Sequence, residues 1–229
     1  VLLCTFLVPA AVGGLVALRE IREQRVRGPQ DIALIPRTRV LGVMPDISMD
    51  PTNPERIEHI CVDRPAGVIA EAVRQLRTAL LKEVQSRGHR VVLFVGGLPG
   101  AGVTSLISNL AANAAATDSR VLVIDANLRR PRMHTLFDKP DRPGLSDVLL
   151  GTVPFSDAVV QTSQPNLSLL AAGQREKQVF ERFLTASMAQ VLEEARNNFD
   201  LVFIDAPPAV VSSDAMAIAG HADATVLVV

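Results

Sequence analysis

From residue 90 onward, short apolar runs of β type alternate with stretches of helical character. The runs read RVVLFVG, RVLVIDA, LSLLAAG, LVFIDAP and ATVLVV. Near-continuous apolar strands separated by helices are typical of a parallel sheet covered on both faces, and the functional loops of such sheets lie at the carboxyl ends of the strands. The pattern therefore predicts an α/β fold built on five parallel strands.

The segment 66–87 has the spacing of an amphipathic helix. Its apolar positions recur at intervals of three and four residues, at Ile69, Val73, Leu76, Leu80 and Val84. Further helices are predicted directly after the glycine-rich stretch that follows the first strand, near 178–197 and near 211–219. A short strand is predicted from RVLGVM at 39–44, inside a proline-rich connector.

The chain opens with an uncharged segment, 1–18, followed by an arginine-rich run, REIREQRVR. As a helix this segment would extend ~27 Å at ~1.5 Å per residue, close to the ~30 Å hydrocarbon core of a bilayer. Basic residues after the apolar run place that flank in the cytoplasm. We therefore predict a transmembrane helix at 1–18, a basic juxtamembrane segment and proline-rich connector at 19–65, and the α/β domain at 66–229. A buried helix of a soluble domain is the alternative for 1–18, and both chain ends are expected to be truncations.

Composition excludes several classes of function. The net charge is -1, so binding to nucleic acid through bulk electrostatics is not expected. The two cysteines, Cys4 and Cys61, match no metal-ligand spacing, and their low number suits a reducing compartment. Hydrophobic residues make up 48% of the chain, which is enough for a large core and argues against global disorder.

The glycine-rich stretch GLPGAGVTS lies between the first strand and the next helix, where a phosphate-binding loop is expected. Gly97, Gly102 and Thr104 fit the P-loop template, but Val103 occupies the position of its lysine. The glycines allow positive φ and close backbone approach, so that successive N–H groups can surround an anion at a helix N-terminus. A packing turn is the alternative when this loop is considered alone.

Two aspartates end apolar strands, Asp125 in VLVIDA and Asp205 in LVFIDA. A carboxylate at the tip of a buried strand is costly unless it meets a cation or a hydrogen-bond donor. Together with Thr104, whose hydroxyl would reach Mg²⁺, these carboxylates are what a Mg²⁺-nucleotide site needs. Each aspartate alone fits a helix cap or a strand-end turn equally well, but the three elements together favour a P-loop site, active or ancestral.

This combination of motifs resembles the bacterial tyrosine-kinase (BY-kinase) family, a relative of the MinD/ParA-type deviant Walker ATPases. The family pattern P-G-E-G-K-[ST]-T, followed by N-L-A, corresponds to residues 99–105 and 109–111. Its D-x-D-L-R-R-P motif corresponds to residues 125–131, and its I-D-T-P-P motif to residues 204–208. The fold that the resemblance implies is a parallel-sheet P-loop NTPase-like domain.

The resemblance covers nearly the whole chain and implies a cytoplasmic ATP-dependent kinase domain of capsular and exopolysaccharide co-polymerases. The membrane helix and RVLGVMPDI would be the end of the chain-length-determinant domain that precedes the kinase in such proteins. The implied ligands are ATP or ADP and Mg²⁺. The E-x-x-R-x-x-R pattern that the family uses at subunit contacts is present as Glu71, Arg74 and Arg77.

The resemblance also implies which residues form the site. Asp125 and Asp205 would be catalytic, and together with Thr104 they would hold Mg²⁺. The nucleotide would be bound by Gly97, Pro99, Gly100, Ala101, Gly102, Val103, Thr104 and Ser105.

The chain departs from the family pattern at positions that carry charge. Val103 replaces the P-loop lysine, Leu98 occupies the position of the MinD-type signature lysine, and Asn127 replaces the second aspartate of the D-x-D motif. Ala101 replaces the usual glutamate, and the chain contains no tyrosine, whereas family members carry a tyrosine-rich tail. We therefore expect weak or absent binding of ATP or ADP, and impaired phosphoryl transfer.

Three functional hypotheses follow. The first is a regulatory or scaffolding subunit of a polysaccharide polymerisation and export machine, anchored in the inner membrane with its P-loop domain in the cytoplasm. Such a subunit would form homo-oligomers, or hetero-oligomers with related kinase or co-polymerase subunits. The second is an active protein-tyrosine autokinase that controls polysaccharide chain length. The third is a MinD/ParA-like positioning ATPase, which the membrane helix disfavours because those ATPases usually attach through a C-terminal amphipathic helix.

Overall fold

The computed structural model describes residues 28, 30, 32, 35–36, 38–52, 54, 56–174 and 177–229, without the side chains of residues 177 and 178. The chain divides into two compact units, Val1–Val40 and Leu41–Val229, and the elements named below belong to the second. The membrane helix predicted at 1–18 lies outside the described residues. Within the described ranges, no helix combines the length and the apolar character needed to cross a bilayer.

Helices and strands alternate along the second unit. Its helices are α1 (Ile60–Asp63), α2 (Val68–Ser86), α3 (Val103–Ala115), α4 (Met133–Leu136), α5 (Leu145–Leu149), α6 (Phe155–Ala158), α7 (Lys177–Arg182), α8 (Ala186–Asn198) and α9 (Asp214–Ala219). Its strands are β1 (Val91–Gly96), β2 (Val121–Asp125), β3 (Val159–Gln161), β4 (Leu167–Leu170), β5 (Leu201–Asp205) and β6 (Ala224–Val228). Short 3₁₀ turns lie at Ile47–Met49 and Ile57–His59.

The strands form a single sheet in the order β3-β4-β2-β5-β1-β6. The strands β4, β2, β5, β1 and β6 are mutually parallel, and β3 runs antiparallel to β4 at the edge. The five predicted strands and their parallel arrangement are confirmed. Sequence reasoning missed β3, because it has only three residues and its side chains are at most half-buried, so it leaves no apolar run to recognise.

Side chains of the central strands alternate between two apolar cores, as the two-residue period of a strand requires. Leu93 and Ile204 belong to the core beneath α5, α7, α8 and α9. Phe94 and Phe203 belong to the core beneath α1, α2 and α3, and their rings meet edge to face with centroids 5.3 Å apart. Helices therefore cover both faces of the sheet, which leaves the carboxyl ends of the strands as the place for a site.

The predicted helices are observed with changed boundaries, and one predicted strand is wrong. The helix predicted at 66–87 is α2, and all five of its predicted apolar positions are buried. The helix predicted near 178–197 divides into α7 and α8, because the hydroxyl of Thr185 caps a new helix start by accepting from the Ser187 N–H. Residues 39–44 are irregular and pair with none of the described strands, and a β-type run without a neighbouring strand leaves its backbone groups unpaired.

The connector segment, residues 56–63, lies against α3. The side chain of Asn109, which is buried in α3, donates to the carbonyl of Ile57 at 2.6 Å and to that of Ser105 at 2.9 Å. Its oxygen accepts from the Cys61 N–H at 2.9 Å. One side chain therefore fastens the connector segment to the helix that begins at the predicted nucleotide loop.

Candidate functional site: a phosphate loop beside two buried carboxylates

The phosphate loop, residues 97–105, joins β1 to α3. Gly100 and Gly102 have φ angles of 86° and 79°, a left-handed conformation that strains any residue with a Cβ. The first intrahelical bond of α3 runs from the Leu106 N–H to the Gly102 carbonyl, so the first three N–H groups of α3 are not used inside the helix. The loop thus presents backbone donors and the positive end of a helix dipole, an arrangement that binds phosphate.

Val103 is the first residue of α3, and its side chain faces the core. It is 9% exposed and packs in the apolar core beneath α2 and α3. A Cβ added at Gly96 would lie only 3.1 Å from Cγ2 of Val103. The glycine at position 96 therefore leaves room for the valine side chain. The position of the P-loop lysine is therefore filled by a buried isopropyl group, and no residue of the phosphate loop carries a side-chain positive charge.

Asp125 and Asp205 end the neighbouring strands β2 and β5 and are partners in register. Both are buried, at 0% and 2% exposure. The hydroxyl of Thr104 donates to Oδ2 of Asp205 at 2.7 Å, whereas Oδ1 of Asp205 is buried without a hydrogen-bond partner in the described structure. The fold thus brings the loop and both strand-end carboxylates together and leaves one carboxylate oxygen that a cation or its water would satisfy.

Backbone N–H groups surround Asp125. Its Oδ1 accepts from Asn127 at 3.1 Å, and its Oδ2 accepts from Arg132 and Met133, each at 3.0 Å. The side-chain oxygen of Asn127 in turn accepts from the Arg130 N–H at 3.2 Å. Asp125 therefore orders the turn after β2 and the start of α4, and the side chain of Asn127 is engaged within that turn.

Burial raises the pKa of both carboxyl groups above that of an ordinary aspartate. For Asp125 burial is the largest cause, the negative charge of Asp205 adds to it, and the three backbone hydrogen bonds oppose it. For Asp205 burial again dominates, and it is opposed by the Thr104 hydrogen bond and by the positive charge of Arg132. Because two adjacent buried carboxylates resist full ionisation, the pair retains a proton near neutral pH until a cation neutralises it.

The residues around the phosphate loop meet most of the requirements of Mg²⁺ and a nucleotide. Among the described residues, no group of three or more His, Cys, Asp or Glu side chains could hold a metal ion by itself. A hard cation would take oxygen ligands from Thr104 and Asp205 and complete its shell with water and phosphate. A Cβ at Gly100 or Gly102 would meet nothing within 4 Å, so the loop is open on that side. These residues fit a Mg²⁺-bound diphosphate or triphosphate, apart from the missing charges at Val103 and Asn127.

Glu71, Arg74 and Arg77 on α2 separate into two environments. Oε2 of Glu71 accepts from Nη2 of Arg74 at 2.6 Å, and Arg74 also donates to the Pro65 carbonyl at 2.7 Å. Arg77 instead donates to the carbonyl of Asn113 on α3 at 3.1 Å, and its Nε is buried without a partner in the described structure. Glu71 and Arg74 therefore lie at the surface, whereas Arg77 is engaged within the chain.

Sequence reasoning missed Glu58 and Arg132, two charged residues that meet beside the site. Nη2 of Arg132 lies 3.8 Å from Oε1 of Glu58 in the connector segment. Arg129 pairs with Asp214 through Nε and Oδ2 at 3.1 Å, and its guanidinium lies 4.6 Å from the ring centroid of Phe180. No local pattern marks Glu58 or Arg132, because their proximity depends on how the connector segment docks against α3.

Comparison with known proteins assigns the family. A family model described as an AAA domain matches residues 90–229. The tyrosine-protein kinase etk of Escherichia coli K12 is 35% identical over 175 residues, which are 76% of this chain and 24% of etk. The chain likewise spans 28% and 25% of the length of two further curated relatives.

Solved structures agree with this assignment. The BceF tyrosine kinase domain is 30% identical, with a TM-score of 0.77 over 89% of this chain and 86% of that domain. The septum site-determining protein MinD of Pyrococcus horikoshii, complexed with Mg-ADP, shares the fold, with a TM-score of 0.54, 24% identity, and coverage of 61% of this chain and 57% of MinD. The predicted parallel-sheet P-loop fold is therefore confirmed.

Proposed function

The chain belongs to the bacterial tyrosine-kinase family, and from this premise we propose that it is a subunit whose own nucleotide site is degenerate. It binds ATP or ADP with Mg²⁺ weakly, transfers phosphate inefficiently or not at all, and acts as a regulatory or scaffolding subunit. The observation that carries the proposal is the buried apolar side chain of Val103 at the position of the P-loop lysine.

The energetic cost of this replacement is substantial. The lysine of a P-loop pairs with the β- and γ-phosphates, where charge develops during transfer. A hydrogen bond to a charged group contributes about 1.5–3 kcal/mol to binding, and loss of a transition-state donor lowers the rate ~10²–10³-fold. Asn127 brings no negative charge for the Mg²⁺ shell, and its oxygen is engaged by the Arg130 N–H. The replacements at Val103 and Asn127 both weaken nucleotide binding and slow phosphoryl transfer, although their effects need not add.

The retained elements support weak binding. The left-handed glycines and the unused N–H groups of α3 form a phosphate cradle that does not depend on the lysine. Thr104 and Asp205 would hold Mg²⁺, which neutralises phosphate charge when bound. Asp125, for which the family resemblance implies a catalytic role, orders the turn that borders the site.

Family membership supports a role in polysaccharide production. We place the subunit in a capsule or exopolysaccharide polymerisation and export machine at the inner membrane, with the P-loop domain facing the cytoplasm. Its partners would be further copies or related kinase and co-polymerase subunits. Glu71 and Arg74 are the residues that we expect at a subunit contact, and Arg77 would support them by fixing α2 to α3. Anchoring in the membrane rests on the sequence of residues 1–18.

The decisive experiment compares the wild type with two restored variants. Mg-ADP affinity and ATP turnover would be measured for the full chain in detergent, for Val103→Lys, and for Val103→Lys combined with Asn127→Asp. We expect weak binding without turnover in the wild type, tighter binding in the first variant and turnover in the second. A matched Asp205→Ala change in the doubly restored chain should abolish the gain.

The same assay distinguishes the proposed degenerate subunit from an active autokinase. Wild-type turnover comparable to that of the doubly restored chain, abolished by Asp205→Ala, would identify an active autokinase and overturn the proposal. Equal and negligible Mg-ADP binding by all variants would show that the cradle itself is lost.

A further inference from the structure

Three arginines follow Asp125 within seven residues, and they have different environments. The guanidinium of Arg129 is fixed between the carboxylate of Asp214 and the ring of Phe180. The described contacts of Arg130 involve its backbone N–H, which binds Asn127. Arg132 is the member of this group whose backbone N–H bonds directly to Asp125, the carboxylate that is in register with Asp205.

The backbone of Arg132 is fixed while its side chain is loosely held. Its N–H donates to Oδ2 of Asp125 at 3.0 Å, which anchors the residue beside the strand ends. Its side chain is 65% exposed, and Nη2 lies 3.8 Å from Oε1 of Glu58. That separation exceeds hydrogen-bond length, so the pair is held by charge alone, and exposed ion pairs of this kind contribute little to stability.

A phosphate group would be a stronger partner for this guanidinium. Arginine binds phosphate through two parallel N–H···O bonds, which are stronger than a contact with a carboxylate that is too long for a hydrogen bond. The phosphate loop supplies backbone donors but no charged side chain, so the opposing charge for a polyphosphate has to come from outside the loop. Arg132 is anchored next to the site and can be redirected toward it.

We propose that Arg132 is a phosphate-binding residue that replaces in part the charge missing at Val103, and that Glu58 of the connector segment competes with phosphate for its guanidinium. This inference rests on the proposed function, since it requires that the loop binds a nucleoside diphosphate or triphosphate. The connector segment would then regulate the affinity for nucleotide. Any displacement of residues 56–63 that moves Glu58 away from Arg132 frees this guanidinium for phosphate.

The test measures dissociation constants for Mg-ADP by titration calorimetry on the full chain. The variants are Arg132→Gln, Glu58→Gln, the two combined, and Arg130→Gln as a matched arginine in the same turn. Because the hydrogen bonds that Asp125 accepts come from backbone N–H groups, these substitutions leave them in place. Thermal melting of each variant checks that the fold is retained.

We expect Arg132→Gln to weaken Mg-ADP binding about tenfold or more, the fold-change for one charged hydrogen bond of about 1.5–3 kcal/mol. Glu58→Gln should tighten binding several-fold, and that gain should vanish when Arg132 is also replaced. Arg130→Gln should change the constant less than twofold.

Two results would overturn the inference while leaving the proposed function intact. One is wild-type binding that Arg132→Gln does not change. The other is a gain from Glu58→Gln that persists without Arg132, since Glu58 would then act by another route. If the wild-type chain binds no Mg-ADP at millimolar concentration, both the inference and the proposed weak binding fail together.

Discussion

Thr104 donates its hydroxyl to one oxygen of Asp205 at 2.7 Å, and the second oxygen of that carboxylate is buried without a partner in the described structure. The hydroxyl is thus the sole described donor to this carboxylate. Thr104→Val keeps the shape of the side chain but removes the donor, which should destabilise the protein by about 1–3 kcal/mol. It should also abolish the Mg²⁺ dependence of ADP binding, whereas Thr104→Ser should preserve it. Mg²⁺-dependent binding by the valine variant would contradict the assignment of Thr104 as a ligand.

The carboxylate pair predicts an unusual pH dependence of stability. Burial raises the folded-state pKa of Asp205 from 3.8 to about 7, so stability is fully present below the unfolded-state pKa and is lost as the pH rises through the folded-state pKa. Asp205→Asn should therefore stabilise the ligand-free protein at pH 8 relative to the wild type, by at most about 4 kcal/mol. The difference should shrink toward pH 4. Denaturant unfolding at several pH values measures both curves.

Asp200→Asn is the control for this pH effect. Its hydrogen bonds and charge interaction with Arg120 lower the pKa of Asp200, so its contribution has the opposite sign and is lost as the pH falls below the ordinary aspartate range. Asp200→Asn should accordingly be neutral or mildly destabilising at pH 8. A stabilising effect of the same size as that of Asp205→Asn would mean that net charge, and not the buried pair, sets the pH dependence.

The sequence predicted the location of this site better than its chemistry. Asp125, Asp205 and the phosphate loop could be placed together because parallel strands present their carboxyl ends at one edge. The unpartnered oxygen of Asp205 and the backbone bonds of Asp125 depend on side-chain orientations that no periodicity encodes. The influence of Arg132 on Asp205 was likewise invisible, since it requires the fold of the turn between β2 and α4.

The same limit applies to the connector. The run at 39–44 has strand-forming residues but finds no partner among the described strands, and β-propensity mainly reflects packing against neighbours. Conversely, Asn109 was recognised as part of the N-L-A pattern, but two of its three bonds join residues that are 48 and 52 positions apart in sequence. Contacts between residues so far apart in sequence cannot be predicted from a local pattern.

Left-handed glycines give a prediction with a close internal control. Gly102→Ala and Gly88→Ala each place a Cβ at a positive φ, 79° and 68°, where it would meet nothing within 4 Å. Both should destabilise the protein by about 1–2 kcal/mol through backbone strain alone. Only Gly102→Ala should also weaken Mg-ADP binding, because its methyl group lies at the phosphate cradle. Equal binding by the two variants would place the nucleotide elsewhere.

Asn109 should be a sensitive polar position of α3 because it joins the helix to the connector segment. Asn109→Ala leaves the Cys61 N–H and the Ile57 carbonyl without their partner, and we expect a loss of about 1–3 kcal/mol in the free energy of unfolding. Hydrogen exchange should rise in the connector segment.

Asn113→Ala serves as the control one turn later on the same helix. The side-chain oxygen of Asn113 is buried without a hydrogen bond in the described structure, so its removal should be close to neutral. If Asn113→Ala lowered the free energy of unfolding as much as Asn109→Ala, any loss of a side chain from α3 would be equally destabilising. The hydrogen bonds of Asn109 to the connector segment would then not explain its effect.

The register that pairs Asp125 with Asp205 has a consequence for how the proposed site could be repaired. Two of the departures from the family motif, Val103 and Asn127, lie in the segments that follow β1 and β2, and both strands are intact. Inserting one residue into β2 or β5 would instead turn Asp125 or Asp205 to the opposite face of the sheet. Under the proposed function, restoring charge at these two positions would therefore need point substitutions and no rearrangement of the sheet.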